Sequence, residues 1–320
     1  MPESEKTVSL LNRKIKEGKA LVLSDSEFVH EIRAGHRFGV ADVDVVTVAW
    51  NSAITGTAVM LCVPVTKRGV FTRAGKIWLN GVPGFPGPAP NERLGVVDTL
   101  IFAEQLSRDT QTHYNGAMLF VDLMRKGEVE VECLSEEGDT YRNTVTLDQL
   151  QFARMYIYNC FVCGLPGGVE KVTPHACHHL APVVTGSKIL LNRAPGIVIG
   201  SGTRSAPGRR SLSLSAEMFE MDPEVMSRTG GGAETGITNS IALAIPVLDE
   251  EGLRDLSSWL LAGRFAGQRE DLQGRESDMS RSLKELVLKG SFLLTGFDMK
   301  SPAPAPAAPG GVVSGKGGRE

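Results

Sequence analysis

The chain has 320 residues, of which 42% are hydrophobic and 22% charged, and its formal net charge is −3. This small negative charge offers no electrostatic footprint for nucleic acid, and no apolar run approaches the ~20 residues of a membrane-spanning helix. The polar start MPESEKT does not resemble a secretory signal. Five cysteines, an odd number in a long chain, favour free thiols in a reducing compartment. We therefore expect a cytoplasmic protein without nucleic-acid or membrane partners.

The first 65 residues alternate helical and strand patterns. Ser24 and Glu27 have the spacing of a capping box, which predicts that a helix begins there and continues to about Ala34. The stretch 54–65 is apolar and fits either a helix or a strand. The remaining predicted elements are a helix at 8–17 and strands at 20–23 and 45–49.

A stretch rich in Pro and Gly follows at 76–95, KIWLNGVPGFPGPAPNERLG. Proline fixes φ and lacks a donor, and glycine permits positive φ, which excludes a helix or a central strand. The residues predict a short strand around Trp78 that continues into a rigid, extended loop. Such a loop can bring the backbone close to a ligand, and a simple surface connection is the alternative.

Beyond residue 95, strands and helices are predicted to interleave, which is typical of the α/β class. Helices are expected at 94–106, from Leu147 to about 156, at 253–262 and at 280–288. Strands are expected at 129–134, 144–147, 189–191, 197–199, 212–216 and 292–297. We expect a mixed sheet with flanking helices in one domain, 1–298, or in two subdomains of it. The Pro-, Ala- and Gly-rich tail 299–320 should be disordered, because it cannot bury enough apolar surface.

Several long motifs occur along the chain: the Pro/Gly stretch, CHHLAP (177–182), PGIVIGSGTRSAP, EMFEMDPEVM (217–226) and IALAIPVLDEE (241–251). They resemble the homocysteine-biosynthesis (HcyBio-type) sulfur-incorporation family, and most of all its branch called methanogenesis marker protein sixteen. The resemblance spans about residues 8–256. It implies an α/β enzyme that incorporates sulfur into a carbon electrophile, with aspartate semialdehyde as the characterised substrate class.

The chain departs from the family pattern at two cysteine positions. Homocysteine-forming members carry Cys-Ser-Ser-Gly after DVVT, where this chain has Asn51 and Ser52. A second family cysteine lies in a Cys-Tyr-Pro-Arg context, where this chain has Thr140 before Tyr141. The regulatory or ferredoxin-like domains that follow in many relatives are also expected to be missing. These departures argue against a redox mechanism that uses a cysteine pair.

Soft metal ligands are dense between residues 160 and 179. Thiolate and imidazole at the spacing of Cys160, Cys163 and His175 suit zinc or an iron–sulfur centre. The CxxC spacing also suits a redox disulfide. The apolar sequence around Cys160 fits equally well with cysteines whose thiols are buried in the core.

Cys177 is the predicted nucleophile, because it matches the cysteine of a family C-x-x-L-x-P element. His178 and His179 follow it directly, and a nearby imidazole lowers the pKa of a thiol. The thiolate would accept or deliver sulfur. The alternative is a loop cysteine with solvated histidines.

Several polar groups are candidates for substrate binding. Arg204 ends the GSGTR turn and could form a forked contact with a carboxylate or phosphate. Asn51 and Ser52 could donate to a carbonyl oxygen, and Asn239 is a weaker candidate of the same kind. Ordinary loop solvation is the alternative for all of them, and Arg209 and Arg210 are expected in a solvated loop. The other predicted substrate contacts are Asn80, Gly81, Pro83, Asn91, Glu92, Arg93, Gly200, Gly202 and Thr203.

These observations together predict a sulfurtransferase. The favoured reaction converts an acyl thioester, such as a coenzyme A thioester, into a thiocarboxylic acid with a sulfide or persulfide donor. The alternatives are homocysteine formation from aspartate semialdehyde, and a non-catalytic relative that binds a metal or ligand. The cofactor and the oligomeric state, including a homo-oligomer, stay open.

Overall fold

The computed structural model describes residues 6–52, 56–87, 90–109, 111, 113–161, 178–205, 210–229, 236–261 and 270–295. This part of the chain contains five α-helices: α1 Val8–Lys16, α2 Asp25–Arg33, α3 Gly116–Met124, α4 Glu250–Leu261 and α5 Glu270–Leu288. Its strands are β1 Val22–Ser24, β2 Val45–Ser52, β3 Thr57–Pro64, β4 Ala74–Leu79, β5 Val82–Pro86, β6 Val96–Phe102, β7 Val129–Ser135, β8 Thr140–Val145, β9 Phe152–Phe161, β10 Lys188–Leu191, β11 Ala194–Ser201, β12 Ser211–Glu217, β13 Ser227–Thr229 and β14 Gly236–Pro246.

The strands form one mixed sheet in the order β1-β2-β14-β10-β11-β12-β9-β3-β6-β5-β4-β7-β8, with β13 beside β14. β1 and β2 are parallel. The other pairs along this path are antiparallel. The predicted α/β class with a mixed sheet is confirmed. None of the described helices combines the length and apolar composition needed to cross a bilayer.

The strands at the β2 end of the sheet are buried on both faces. Along β2, Val46, Val48 and Trp50 belong to one apolar core, and Val45 and Ala49 to a second one. Side chains alternate between the faces of a strand, so the two cores lie on opposite sides of β2. Helices α2 and α4 contribute to the first core, and α1 and α5 to the second. This layering fixes the direction of each side chain at the end of β2.

The sheet curls until distant strands meet. Five strands lie between β2 and β3 in the sheet, yet only residues 53–56 join them along the chain. A segment of this length spans at most about 18 Å. The side-chain amide of Asn239 in β14 also donates directly to Thr57 Oγ1 in β3, at 3.0 Å. The end of β2, the start of β14 and the start of β3 therefore lie together.

Two predicted helices are strands. The residues expected to form a helix at 94–106 form β6, in which buried and half-buried side chains alternate. The stretch after Leu147 forms a short 3₁₀ turn and then β9, which pairs with both β3 and β12. Runs such as VVDTLIF contain enough β-branched residues for a strand, and pairing on both sides decides the outcome. The predicted strand at 292–297 is also wrong in its described part, because residues 292–295 lie outside any strand.

The Pro/Gly stretch is a hairpin, which corrects the expected extended loop. β4 and β5 are joined by Asn80 and Gly81, whose φ values are 47° and 75°. Asn and Gly are the residues that tolerate positive φ in such tight turns. Pro83 and Pro86 fit because β5 pairs with β4 at residues 82–84 and with β6 only at residues 85 and 86. The tail 299–320 lies outside the described residues, so its disorder stays a prediction.

Candidate functional site

Asn51 lies at the end of β2 and is 8% exposed. Its Oδ1 accepts a hydrogen bond from Ser240 Oγ, directly across on β14. Its Nδ2 is buried and has no partner among the described residues. Ser52 follows as the last residue of β2, and its side chain lies outside the described part. Asn51 therefore presents an unused amide donor at the point where the sheet closes.

A second set of polar side chains, on the face of the sheet opposite Asn51, connects the strands at this end by hydrogen bonds. Asn192 Nδ2 donates to Asn239 Oδ1 at 2.9 Å, and Ser240 N–H donates to Asn192 Oδ1 at 2.9 Å. Asn192 has a φ of 49° in the turn between β10 and β11. With the Asn239–Thr57 bond, these side chains connect β10, β14 and β3. The sequence singled out Asn239 but missed Asn192, Ser240 and Thr57.

The GSGTR turn meets the β2–β3 connection at Tyr158. Thr203 N–H donates to the Tyr158 carbonyl, and Tyr158 N–H donates to the Gly56 carbonyl, each at 2.9 Å. A Cβ on Gly56 would lie 1.8 Å from the Tyr158 ring. Burial and Glu104 raise the pKa of Tyr158, and Arg204 opposes the shift. Thr203 and the exposed Arg204 therefore lie near the connection that follows Asn51.

The two glycines of this turn are placed differently. Gly200 lies in β11 with open space where a Cβ would point. Gly202 packs against β12, and a Cβ there would lie 2.3 Å from Ser211 Oγ. Gly202 therefore permits close strand packing.

An aromatic row reaches from Tyr158 to the Pro/Gly hairpin. The Phe102 ring lies 6.3 Å from Tyr158 and 5.9 Å from Phe85, with T-shaped geometry in both pairs. Phe85 is 55% exposed. Phe85 therefore connects the Pro/Gly hairpin to Phe102 and Tyr158. The sequence analysis did not single out Phe85.

The predicted contacts in the hairpin turn have structural partners. Asn80 donates through Nδ2 to Tyr114 Oη at 3.2 Å and accepts from Glu130 N–H at 2.8 Å. The Gly81 carbonyl accepts from Arg108 N–H, and Gly81 lines a surface cavity of about 530 Å³. Pro83 lies opposite Trp78 on β4.

Asn91, Glu92 and Arg93 lie at the far end of β3. Asn91 Nδ2 donates to Asp98 Oδ2 at 2.6 Å, and Asp98 pairs with Cys62. Cys62 is five residues along β3 from Thr57, or about 17 Å. Glu92 is buried and accepts from Ala74 N–H, and Arg93 is exposed. The structure does not bring these three residues to Asn51.

His178 and His179 contact different residues. The ring Nε2 of His178 lies 3.2 Å from Asp249 Oδ2, and the backbone N–H of His178 donates to Asp255 Oδ2. His179 is 2% exposed and packs against Trp259 at 5.1 Å. Burial, then Arg210, then His178 lower the pKa of His179 to about 4. His179 is therefore neutral near pH 7, so it cannot be the cation that activates Cys177.

Arg210 is not in a solvated loop, which corrects the expectation. It is half-buried, and its two Nη atoms donate to the carbonyls of Leu180 and Val183. Burial lowers its pKa.

The described cysteines are all buried. Burial, followed by Asp98, raises the pKa of Cys62 to about 11, and burial, followed by Glu92, raises that of Cys133 to about 11. Cys160 is fully buried at the end of β9. Cys163, His175 and Cys177 lie outside the described residues, so the metal and nucleophile predictions stay predictions. Among the described residues, no group of three or more His, Cys, Asp or Glu could hold a metal ion.

The chain is similar to one protein family and to several known proteins. The family model described as "Homocysteine biosynthesis enzyme, sulfur-incorporation" matches residues 20–163 and 176–259. An uncharacterized protein of Methanothermobacter thermautotrophicus is 34% identical over 79% of this chain and 65% of its own length. L-aspartate semialdehyde sulfurtransferases of Methanosarcina acetivorans and Methanocaldococcus jannaschii are 26% and 27% identical, over 77% and 84% of this chain.

The chain spans 55% and 57% of the length of these two sulfurtransferases. No solved structure matches the chain significantly.

Proposed function

Because the chain belongs to the homocysteine-biosynthesis family of sulfur-incorporation enzymes, we propose that it is a sulfurtransferase acting on the carbonyl carbon of an acyl thioester. The product is a thiocarboxylic acid. The sulfur donor is hydrosulfide, supplied free or released from a persulfide by a second thiol, which is oxidised to the disulfide.

The observation that carries this proposal is the amide of Asn51. The resemblance to the family implies a cysteine at this position in homocysteine-forming members, whereas Asn51 offers a buried N–H without a partner in the described structure. A donor of this kind stabilises the negative charge that develops on a carbonyl oxygen under attack. It cannot act as a sulfur nucleophile. The position therefore suits carbonyl activation better than sulfur relay.

The reaction balances without a change of oxidation state. Hydrosulfide attacks the thioester carbonyl, the carbonyl oxygen gains charge near Asn51, and the bond to the thiolate leaving group breaks. The products are a thiocarboxylate and a thiol, and the proton of hydrosulfide passes to the departing thiolate. Conversion of an aldehyde to a thiol would in addition consume two electrons.

The second candidate is homocysteine formation from L-aspartate semialdehyde. The names of two relatives favour it. It needs a two-electron donor, and Cys62 and Cys133 are poor sources because burial keeps both as neutral thiols near pH 7.

The test uses the full chain with ³⁴S-labelled hydrosulfide and either a panel of coenzyme A thioesters or L-aspartate semialdehyde, the latter with dithionite as the two-electron donor. We expect labelled thiocarboxylate from at least one thioester. Labelled homocysteine would instead establish the second candidate. Label in neither product contradicts both and leaves a non-catalytic binding role.

Variants of Asn51 test its role. Asn51→Ala and Asn51→Asp should each lower kcat about 100-fold, since the loss of one oxyanion donor costs that much. The matched control is Asn143→Ala, which removes an exposed amide bonded to the Pro64 carbonyl. Equal rates in Asn51→Ala and the control would contradict the proposed role. Cys177→Ser tests separately whether a cysteine carries the sulfur, because serine cannot hold a persulfide.

A further inference from the structure

The outer face of the curled sheet is the side that carries Ala49, opposite the first core. Residues directly opposite one another in neighbouring strands share a face, so the strand register traces this side from β2 to β8. At β2 it lies in the core to which α1 and α5 contribute. At β7 and β8 it is polar, because Glu130 and Glu132 lie opposite Thr144 and Arg142. These two parts are suited to a helical cover and to water.

The third part of the outer face, from β5 to β11, is apolar. Phe85 lies directly opposite Leu100, and Leu100 lies opposite Met60. Tyr156 and Ile197 lie on either side of Ser215 in the next row. We call the following side chains the apolar face: Phe85, Leu100, Met60, Phe152, Tyr156 and Ile197.

The apolar face is exposed where a water-facing sheet would be polar. Phe85, Met60, Phe152 and Ile197 are between 36% and 55% exposed. An antiparallel sheet with one face in water alternates apolar and polar residues, as VEVE in β7 does. From β5 to β11, and from Phe152 to the row of Tyr158, this part measures about 24 Å by 20 Å. Exposed apolar surface of this size marks a site of interaction.

The charges on this part of the sheet are balanced. Among the described strand residues, three charged side chains lie on it, and they are Asp98, Arg154 and Glu217. Arg154 lies 3.5 Å from Glu217, and Asp98 accepts a hydrogen bond from Asn91. A nucleic acid or an anionic membrane needs a surplus of positive charge. The balance therefore favours another protein surface of the same apolar character.

The two margins of the apolar face are complementary to each other. Phe85, the most exposed of these side chains, lies at the β5 margin. At the β11 margin there is a cavity of about 580 Å³, whose lining includes Ile197, Leu286 and Phe292. A two-fold axis parallel to the strands, between β3 and β9, brings β5 of one copy to β11 of the other, because such an interface uses the same surface twice.

We propose that a second copy of this chain covers the apolar face, with Phe85 of each copy in the cavity of the other. The flat area of the face is about 480 Å². The relief of its side chains and the walls of the cavity bring the accessible area to the order of the ~800 Å² per partner of a standard interface. The inference does not depend on the proposed function.

Sedimentation equilibrium tests the dimer directly. Interfaces of this size have Kd values from micromolar to picomolar. The full chain at about 50 µM should therefore sediment with twice the monomer mass, and a monomer at this concentration overturns the proposal. Residues 301–320 contain no apolar side chain larger than valine, which makes the tail a poor cover. A dimer that forms only after their deletion assigns the face to the tail and overturns the second copy as its occupant.

Substitutions locate the interface. Phe85→Glu and Ile197→Glu should each raise the dimer Kd at least about tenfold, because they bury a charge at opposite margins of the face. The matched control is Leu21→Glu, which changes an apolar side chain that is 49% exposed next to β1. Circular dichroism selects the folded variants, and two sites cover a folding defect at either one. Dimer Kd values within twofold of the control in both folded variants overturn the face.

Cross-linking tests the two-fold arrangement. Copies that carry only Phe85→Cys are mixed with copies that carry only Ile197→Cys and treated with a short bismaleimide. We expect a cross-linked pair that contains one copy of each kind, identified by mass spectrometry of the joined peptides. Leu21→Cys mixed with Ile197→Cys is the control and should not form the pair. Equal yields in the two mixtures contradict the placement of Phe85 at the cavity.

Discussion

The hydrogen bond between Asn239 and Thr57 should be measurable as a stability difference between two matched variants. Thr57 is fully buried, and its hydroxyl accepts from Asn239 across the closure of the sheet. Thr57→Val removes that acceptor with little change in shape and leaves a buried amide short of a partner, which costs about 1–3 kcal/mol. Thr238 is 3% exposed, and its hydroxyl has no partner in the described structure. Thr238→Val should therefore be neutral or slightly stabilising.

Equilibrium unfolding in urea compares the two variants with the parent protein. The midpoint should fall for Thr57→Val and stay constant or rise for Thr238→Val, with similar m values in all three. Both variants make the same chemical change in the same region, so the difference between them reports on the polar contacts of the Thr57 hydroxyl, among them the bond from Asn239. If Thr57→Val loses no more stability than Thr238→Val, the cross-sheet bond does not hold the closure.

Three further predictions concern cysteines, packing and pH. Cys62 and Cys133, with pKa values of about 11, should resist iodoacetamide at pH 7.5 in the native protein and react on unfolding, as mass spectrometry would show; rapid native labelling would contradict their burial. Gly56→Ala should displace the Tyr158 ring, since its Cβ would lie 1.8 Å away, and should lower stability by about 1–3 kcal/mol in urea unfolding; an unchanged midpoint would argue against this packing. The unfolded chain binds a proton at His179 near pH 6.5, but the folded chain binds it only near pH 4. The free energy of unfolding should therefore fall by about 3 kcal/mol as the pH drops through this window. His179→Phe should remove that part of the pH dependence, as unfolding measured at several pH values would show.

Local signals in the sequence predicted local structure well. The capping box is present, since Glu27 N–H donates to Ser24 Oγ and Ser24 N–H to Glu27 Oε2. Strands β7, β10 and β11 also lie where predicted, whereas β8 begins four residues before its expected position. β6 and β9 were assigned as helices because their apolar spacing fits both periods. Pairing with β3 decides their conformation, and a window of a dozen residues does not contain that partner.

The site was only partly predictable for the same reason. Asn51 stood out through its place in a family motif. Its partner Ser240 lies 189 residues away, and Thr57 and Asn239 are 182 residues apart. Arg210 looked solvated because of its neighbour Arg209, but its carbonyl partners come from residues 27 and 30 positions earlier. These contacts follow from the curl of the sheet, which no local pattern encodes.

The role of Asn51 depends on which end of its amide faces away from Ser240. Ser240 Oγ lies close to both Asn51 Oδ1 and the Val225 carbonyl, but a hydroxyl carries only one hydrogen. When that hydrogen goes to Asn51, the free end is the N–H, which suits a developing oxyanion. When it goes to Val225, Asn51 must turn its N–H toward Ser240, and the free end becomes an acceptor that would repel an oxyanion. Asn51→Asp separates the two cases, because a carboxylate removes the donor required by the first and preserves the acceptor offered by the second. A large loss of kcat in Asn51→Asp, with native stability retained, therefore identifies the free end of the Asn51 amide as a donor to the developing oxyanion.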